Sequence, residues 1–150
     1  MSETGDAQHQ IGHRAAFAAR TTADPERIRA FAIESARMML DDKCEDVVIL
    51  DVTKLSQVTD YIVIATGTSD RQMRSVLEHV EELGDRSGMP AFRTSKDAGT
   101  AWLLGDFVDV VVHVFEPNAR AHYDLELLWG DAPRVPFARE EPDSADGGET

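Results

Sequence analysis

The sequence predicts an α/β fold, a single domain in which a mixed sheet of about five strands carries flanking helices. Three observations lead there. Short β-branched apolar runs recur at Val47–Val52 (VVILDV), Tyr61–Thr66 (YIVIAT) and Val108–Phe115 (VDVVVHVF). Longer stretches with apolar residues at helical spacing lie among them, opened by capping residues or proline. The predicted order, α-β-β-α-β-β-β-α, is neither a repeat nor a regular βα alternation, so the sheet is mixed. With 150 residues and 42% hydrophobic content, the chain supports one compact core.

Residues 1–23 are polar and Ala-rich without sustained periodicity and read as an N-terminal disordered arm or a frayed helix. The domain proper spans 24–137. It opens at Asp24-Pro25, a favoured N-cap followed by a favoured first helical residue, and Ile28, Phe31, Ala32 and Met39 continue a helix over 25–41. The runs 47–52 and 61–66 read as strands buried on both faces and central in the sheet. After Gly67-Thr68, Ser69 and Gln72 have capping-box spacing, and Met73, Val76, Leu77, Val80 and Leu83 form one apolar stripe that Gly84 or Gly88 ends. Three strands follow, at Met89–Arg93, Ala101–Leu104 and Val108–Phe115, with Asp106 in the tight connection between the last two. A final helix over 118–129 turns Ala121, Leu125, Leu128 and Trp129 to one face, and Gly130 caps it. Residues 138–150 read as an acidic disordered tail.

The formal net charge of -13 opposes binding to a nucleic-acid backbone, which needs clustered Lys and Arg. A partner surface is expected to be basic or apolar. One cysteine, Cys44, allows neither an internal disulfide nor a cysteine zinc cluster, and a reducing, cytoplasmic setting fits. No apolar run approaches the roughly 20 residues of a membrane span. The stretch Ile11–Arg20 (IGHRAAFAAR) has a basic amphipathic look, but Glu3 and Asp6 precede it, and import peptides are poor in acids.

Candidate chemistry is weak. Gly67-Thr68-Ser69 before a helix offers amides to a phosphate but lacks the glycine pattern of a phosphate or dinucleotide loop, so a turn and a cap suffice. Asp106 and Asp109 are three apart, whereas two ligands on one strand face need a period of two; a turn residue and a solvated strand start explain them. His113 in a strand reads as a half-buried hydrogen-bonded residue, and His122 with Glu126 as a surface pair, not a metal site. The acidic neighbours of Cys44 disfavour its thiolate. No catalytic residue, metal site or cofactor is predicted. Trp102 stands apart: alternation on a strand points Trp102, Leu104 and Asp106 one way, and on an open face they compose a partner-binding patch, with a core role for Trp102 the competing reading.

Four segments then carry a resemblance: Thr59–Gln72 (TDYIVIATGTSDRQ), Trp102–Asp106 (WLLGD), Asp109–Phe115 (DVVVHVF) and Tyr123–Pro133 (YDLELLWGDAP). Together they are similar to the Iojap/ribosomal silencing factor family over most of residues 26–135. The resemblance implies a nucleotidyltransferase-like fold without catalytic equipment. It also implies binding to the large ribosomal subunit, on its protein number fourteen, which hinders subunit joining and represses translation. Trp102 matches the tryptophan of the family's contact strand, with Leu104 and Asp106 beside it. The family pattern has an apolar residue where Gly105 stands and a glycine where Val108 stands. A homodimer through the uncovered sheet face is a further expectation. The rivals are a nucleotide-binding or nucleotidyltransferase-like enzyme using Gly67–Ser69 with Asp106 or Asp109, and an assembly factor for the large subunit.

Overall fold

The computed structural model describes residues 24–96 and 101–139. The expected arm at 1–23 and the expected tail from residue 140 onward lie outside the described residues. Helix α1 is Pro25–Asp41, begun by the Asp24 carboxylate, which accepts the Glu26 N–H at 3.1 Å. Strand β1 is Glu45–Asp51 and β2 is Tyr61–Thr66. Helix α2 is Asp70–Arg86, followed by β3 at Arg93–Ser95, β4 at Trp102–Asp106 and β5 at Val110–Phe115. Two short helices close the chain, α3 at Pro117–Tyr123 and α4 at Leu125–Leu128.

The five strands form one mixed sheet in the order β1-β2-β5-β4-β3. Only β2 and β5 run parallel; their connection passes through α2 and the β3-β4 hairpin. All six residues of β2 are buried, as its β-branched run predicts. Strand β1 was expected to be central and is instead the sheet's outer strand in this order. It is buried because residues 133–137 lie along its far side: the Asp51 N–H donates to the Pro133 carbonyl at 2.8 Å and the Val135 N–H to the Ile49 carbonyl at 2.9 Å. Arg37 holds the same segment by donating to the Phe137 carbonyl at 2.7 Å, and Arg139 pairs with Asp41. The first two residues of the expected tail are thus tied to α1.

One face of the sheet packs against α1 and α2. Ile28, Phe31 and Met39 from α1 and Met73, Val76 and Leu77 from α2 close over Ile49, Val63, Leu103 and Val112. Capping of α2 follows the predicted box with one change. The Gln72 N–H donates to Ser69 Oγ at 3.0 Å, but Gln72 Oε1 accepts from the Thr68 N–H, not from Ser69. Gly88, at φ 74°, is the left-handed residue that ends this region, whereas Gly84 stays inside the helix. A Cβ on Gly84 would stand 2.5 Å from the Met89 carbonyl oxygen and 3.0 Å from the Phe107 ring, so that glycine serves close packing.

The opposite face is covered more thinly, by Ala119, Leu125, Trp129 and Ala132 over Leu50, Ile62, Ile64 and Phe115. The predicted single helix over 118–129 breaks at Asp124, which adopts the left-handed region at φ 42°. Its carboxylate accepts the Leu127 N–H at 3.2 Å and so restarts the chain as α4. The break changes the predicted buried face: Ala121 and Leu128 are exposed, and Trp129 is half-buried.

Candidate functional site

Strand β4 lies between β5 and the short β3, and its register fixes which way its side chains point. Trp102 faces Phe115, Leu104 faces His113 and Asp106 faces Val111 across the antiparallel pair with β5. Leu103 and Gly105 turn toward α2 and are buried, while Trp102 and Leu104 are half-buried on the thinly covered face. The predicted alternation holds at these positions.

Trp102 is the hub of an aromatic cluster. Its ring stacks on Phe115 at 5.0 Å between centroids and packs against Tyr123 of α3 at 4.7 Å. Such pairs add about 0.5–1.5 kcal/mol each beyond the area they bury. The indole Nε1–H donates to His113 Nδ1 at 3.0 Å. Indole nitrogen is only a donor, so His113 carries its proton on Nε2 when neutral. Burial holds His113 neutral, lowering its pKa from 6.5 to about 4. A strand histidine with a hydrogen bond was expected; full burial and this partner were not.

Tyr123 is half exposed and forms the outer wall of the cluster. Arg120 pins α3 to the sheet below it: Nη1 donates to Thr66 Oγ1 at 2.8 Å, and Nε and Nη2 reach Glu126 at 3.2 and 3.1 Å. Glu126 is therefore spoken for by Arg120, with Arg134 at 3.6 Å, and His122 packs edge-on to Tyr123. Sequence reasoning placed neither Tyr123 nor Arg120 in the site. The i, i+3 spacing of Arg120 and Tyr123 after Pro117 was the available signal.

Asp106 departs from the expected open position. It is 5% exposed, and its Oδ1 accepts the Val108 N–H at 2.9 Å. Arg93 of β3 lies 3.8 Å from its other oxygen. The carboxylate thus shapes the β4-β5 turn, which holds Val108 at φ 71°. That is a strained conformation for a β-branched residue, and it falls where the family pattern has glycine. Asp109, expected as a solvated strand start, is buried, and its carbonyl accepts the Asp60 and Tyr61 N–H groups.

The remaining candidates resolve in structural terms. The loop Gly67–Ser69 borders a crevice at the end of β2 and β5, but Thr68 and Gln72 amides are taken by side chains, and Asp70 and Glu116 line it. Two carboxylates and satisfied amides disfavour a phosphate there. Cys44 is raised to about 11, first by burial and then by Asp42, while a hydrogen bond from Gln72 acts the other way. Burial thus outweighs the acidic neighbours held responsible in the sequence reading. Among the described residues, no group of three or more His, Cys, Asp or Glu side chains could hold a metal ion.

A strand tryptophan half open on a thinly covered sheet face, in the segment order quoted above, makes a relationship testable by comparison. Residues 25–150 match the family described as ribosomal silencing factor during starvation. The chain belongs to the ribosomal silencing factor family. It is 39% identical over 93 residues to ribosomal silencing factor RsfS of Bacillus subtilis, covering 62% of this chain and 79% of that one. The chloroplastic protein Iojap of Zea mays is 30% identical over 109 residues, 73% of this chain and 47% of that protein. A crystal structure of a Chromobacterium violaceum protein, CV0518, superposes with a TM-score of 0.64 at 32% identity, covering 79% of this chain and 96% of the other. Ribosomal silencing factors thus share both sequence and fold with this chain. No helix among the described residues is long and apolar enough to cross a membrane.

Proposed function

We propose that the chain acts in the cytoplasm by occlusion: it docks on the large ribosomal subunit, on that subunit's protein number fourteen, and so keeps the small subunit away. The observation that carries this reading is the open sheet face around Trp102 and Leu104, walled by Tyr123. Aromatic side chains in a partly desolvated cluster are the composition of an interface hot spot. Trp102 and Leu104 make the contact, and Asp106 contributes by holding the turn that ends β4. The net charge of -13 favours a basic protein surface and repels the surrounding RNA phosphates. Binding alone performs such a function, so no reactive group is required.

A sucrose gradient tests it directly. The chain is expected to migrate with isolated large subunits and to reduce joined particles when small subunits are added. Leu104→Glu, which alters a half-open side chain, is expected to weaken binding about thirtyfold, the equivalent of roughly 2 kcal/mol. Trp102→Ala is expected to do the same but also unpartners His113, so its folding must be checked by circular dichroism. Undiminished migration of folded Leu104→Glu would remove this face from the site. Migration with unimpaired joining would remove occlusion as the mechanism.

A further inference from the structure

Outside the Trp102 face, the most exposed large apolar side chains among the described residues are Leu127 and Leu128 of α4, 76% and 71% accessible. With Leu55 from the loop after β1, and with Trp129, Gly130 and Asp131, they line a shallow concavity. Leucines exposed singly are ordinary, but three around one hollow make a contiguous apolar patch.

The register sets this patch on the same sheet face as Trp102, at the opposite corner. Asp51, beside the hollow, pairs with Tyr61, and Tyr61 with Val110, five residues before the Phe115 that faces Trp102. Three strand spacings across and five residues along separate the two corners by roughly 22 Å. Helices α3 and α4 cross that diagonal. Pro117 opens α3 just after β5 at the Trp102 corner, and the Pro133 carbonyl accepts the Asp51 N–H at the other. Tyr123, Leu127 and Leu128 thus lie between the corners, and Trp129 belongs both to the hollow and to the apolar layer that includes Trp102.

We propose, on the reading that the chain docks on the large subunit, that this concavity is a second contact of the same docking surface. Its occupant is an aliphatic side chain flanked by Lys or Arg on a basic protein of that subunit. The Trp102 face alone is small for the task. A specific interface takes roughly 800 Å² from each partner, roughly 450 Å² of it apolar. Trp102 and Leu104 are half-buried and Tyr123 is half exposed, so together they offer on the order of 200 Å². Leu55, Leu127 and Leu128 add at least as much. A round patch of 800 Å² is roughly 32 Å across, so both corners fall inside one footprint.

Charge selects the occupant. Asp51, Asp131 and, at the head of α4, Asp124 border the patch, against Lys54 and an Arg134 that lies 3.6 Å from Glu126. A second copy laid symmetrically on the patch would set carboxylates against carboxylates, and RNA would bring phosphates to them. A basic protein surface meets neither penalty.

Co-sedimentation of the full chain with isolated large subunits, over graded subunit concentrations, tests the proposal through one position. Leu127→Gln removes the apolar contact and is expected to weaken binding about tenfold. Leu127→Lys also adds a positive charge and is expected to weaken binding about threefold further at low salt, a gap that closes as salt rises. Leu127 is 76% exposed, so circular dichroism and Tm are expected to be unchanged in both variants. Tighter binding by Leu127→Lys than by Leu127→Gln would overturn the basic partner in favour of RNA or an acidic surface. Wild-type affinity in Leu127→Gln would overturn the contact, and weakened binding by Leu104→Glu beside it would leave the Trp102 face standing alone. Failure of the unaltered chain to migrate with large subunits would overturn the docking reading and the second contact together. A dimer that Leu127→Gln dissociates, seen in sedimentation of the chain alone with subunit binding unaltered, would give the patch to a second copy instead.

Discussion

Replacing His113 by leucine is expected to make the fold less sensitive to acid. The unfolded chain takes up a proton on this ring near pH 6.5, but the folded chain does so only near 4, because the ring is buried under Trp102. Between those values the unfolded state binds more protons, so stability falls as the pH drops through that window. Every pH unit that separates the two protonation midpoints is worth about 1.4 kcal/mol, giving a loss of about 3 kcal/mol over the whole window. Protonation also converts Nδ1 from acceptor to donor and breaks the bond from the indole. The assay is urea unfolding of wild type and His113→Leu, followed by tryptophan fluorescence at pH 7 and pH 4.5. Wild type is expected to lose about 2 kcal/mol more than the variant between these conditions. His79, held above its ordinary pKa first by its hydrogen bond to Asp42, acts in the opposite sense, since its pair contributes below the folded pKa and is lost above it. That contribution is common to both proteins and cancels in the difference. Equal losses in wild type and variant would refute the assignment of acid sensitivity to this buried ring.

Two further substitutions probe the supports of the same face and of the helix layer. Arg120→Ala removes the contacts to Thr66 and Glu126, and is expected to cost about 1–2 kcal/mol, toward the low end because Glu126 keeps Arg134 and is partly solvated. Loosened Tyr123 packing is then expected to shift the Trp102 emission, and an unchanged spectrum with unchanged stability would deny the pinning role. Gly84→Ala improves helix propensity by nearly 1 kcal/mol, yet it drives a Cβ against the Met89 carbonyl and Phe107. A fall in Tm of several degrees is expected, and a rise would contradict the close approach.

Periodicity made most of the sheet legible, because β-branched runs such as YIVIAT report burial on both faces without needing to know the neighbours. It could not assign positions within the sheet. Strand β1 looks central by composition, but its outer side is closed by residues 133–137, a contact between segments more than eighty residues apart. The break at Asp124 was hidden for a different reason. Leu125, Leu128 and Trp129 continue a helical spacing, and only the local bond from the Leu127 N–H to the Asp124 carboxylate, with Arg120 gripping Glu126, shows that the chain stops and restarts. At the site, alternation correctly turned Trp102 and Leu104 to one face. It failed for Asp106 because the strand ends there, and a turn carboxylate answers to the amide it caps rather than to the pleat. The partner of Trp102 was likewise invisible, since register, not spacing, brings His113 beneath it.

The segment that closes β1 also sets a limit on handling the protein. Edge strands with bare backbone groups recruit other chains, and natural sheets avoid this by covering or shortening their edges. Here the opposite end of the order, β3, is three residues long and carries Arg93, while β1 is seven residues of largely apolar strand. Shortening the chain to end before Pro133 would strip the Asp51 and Val135 pairings and present that longer strand to its neighbours in solution. A shortened form for crystallisation or labelling should therefore retain Arg139. One cut back to residue 132 is expected to precipitate as edge-paired aggregate even though every strand of the sheet is still encoded.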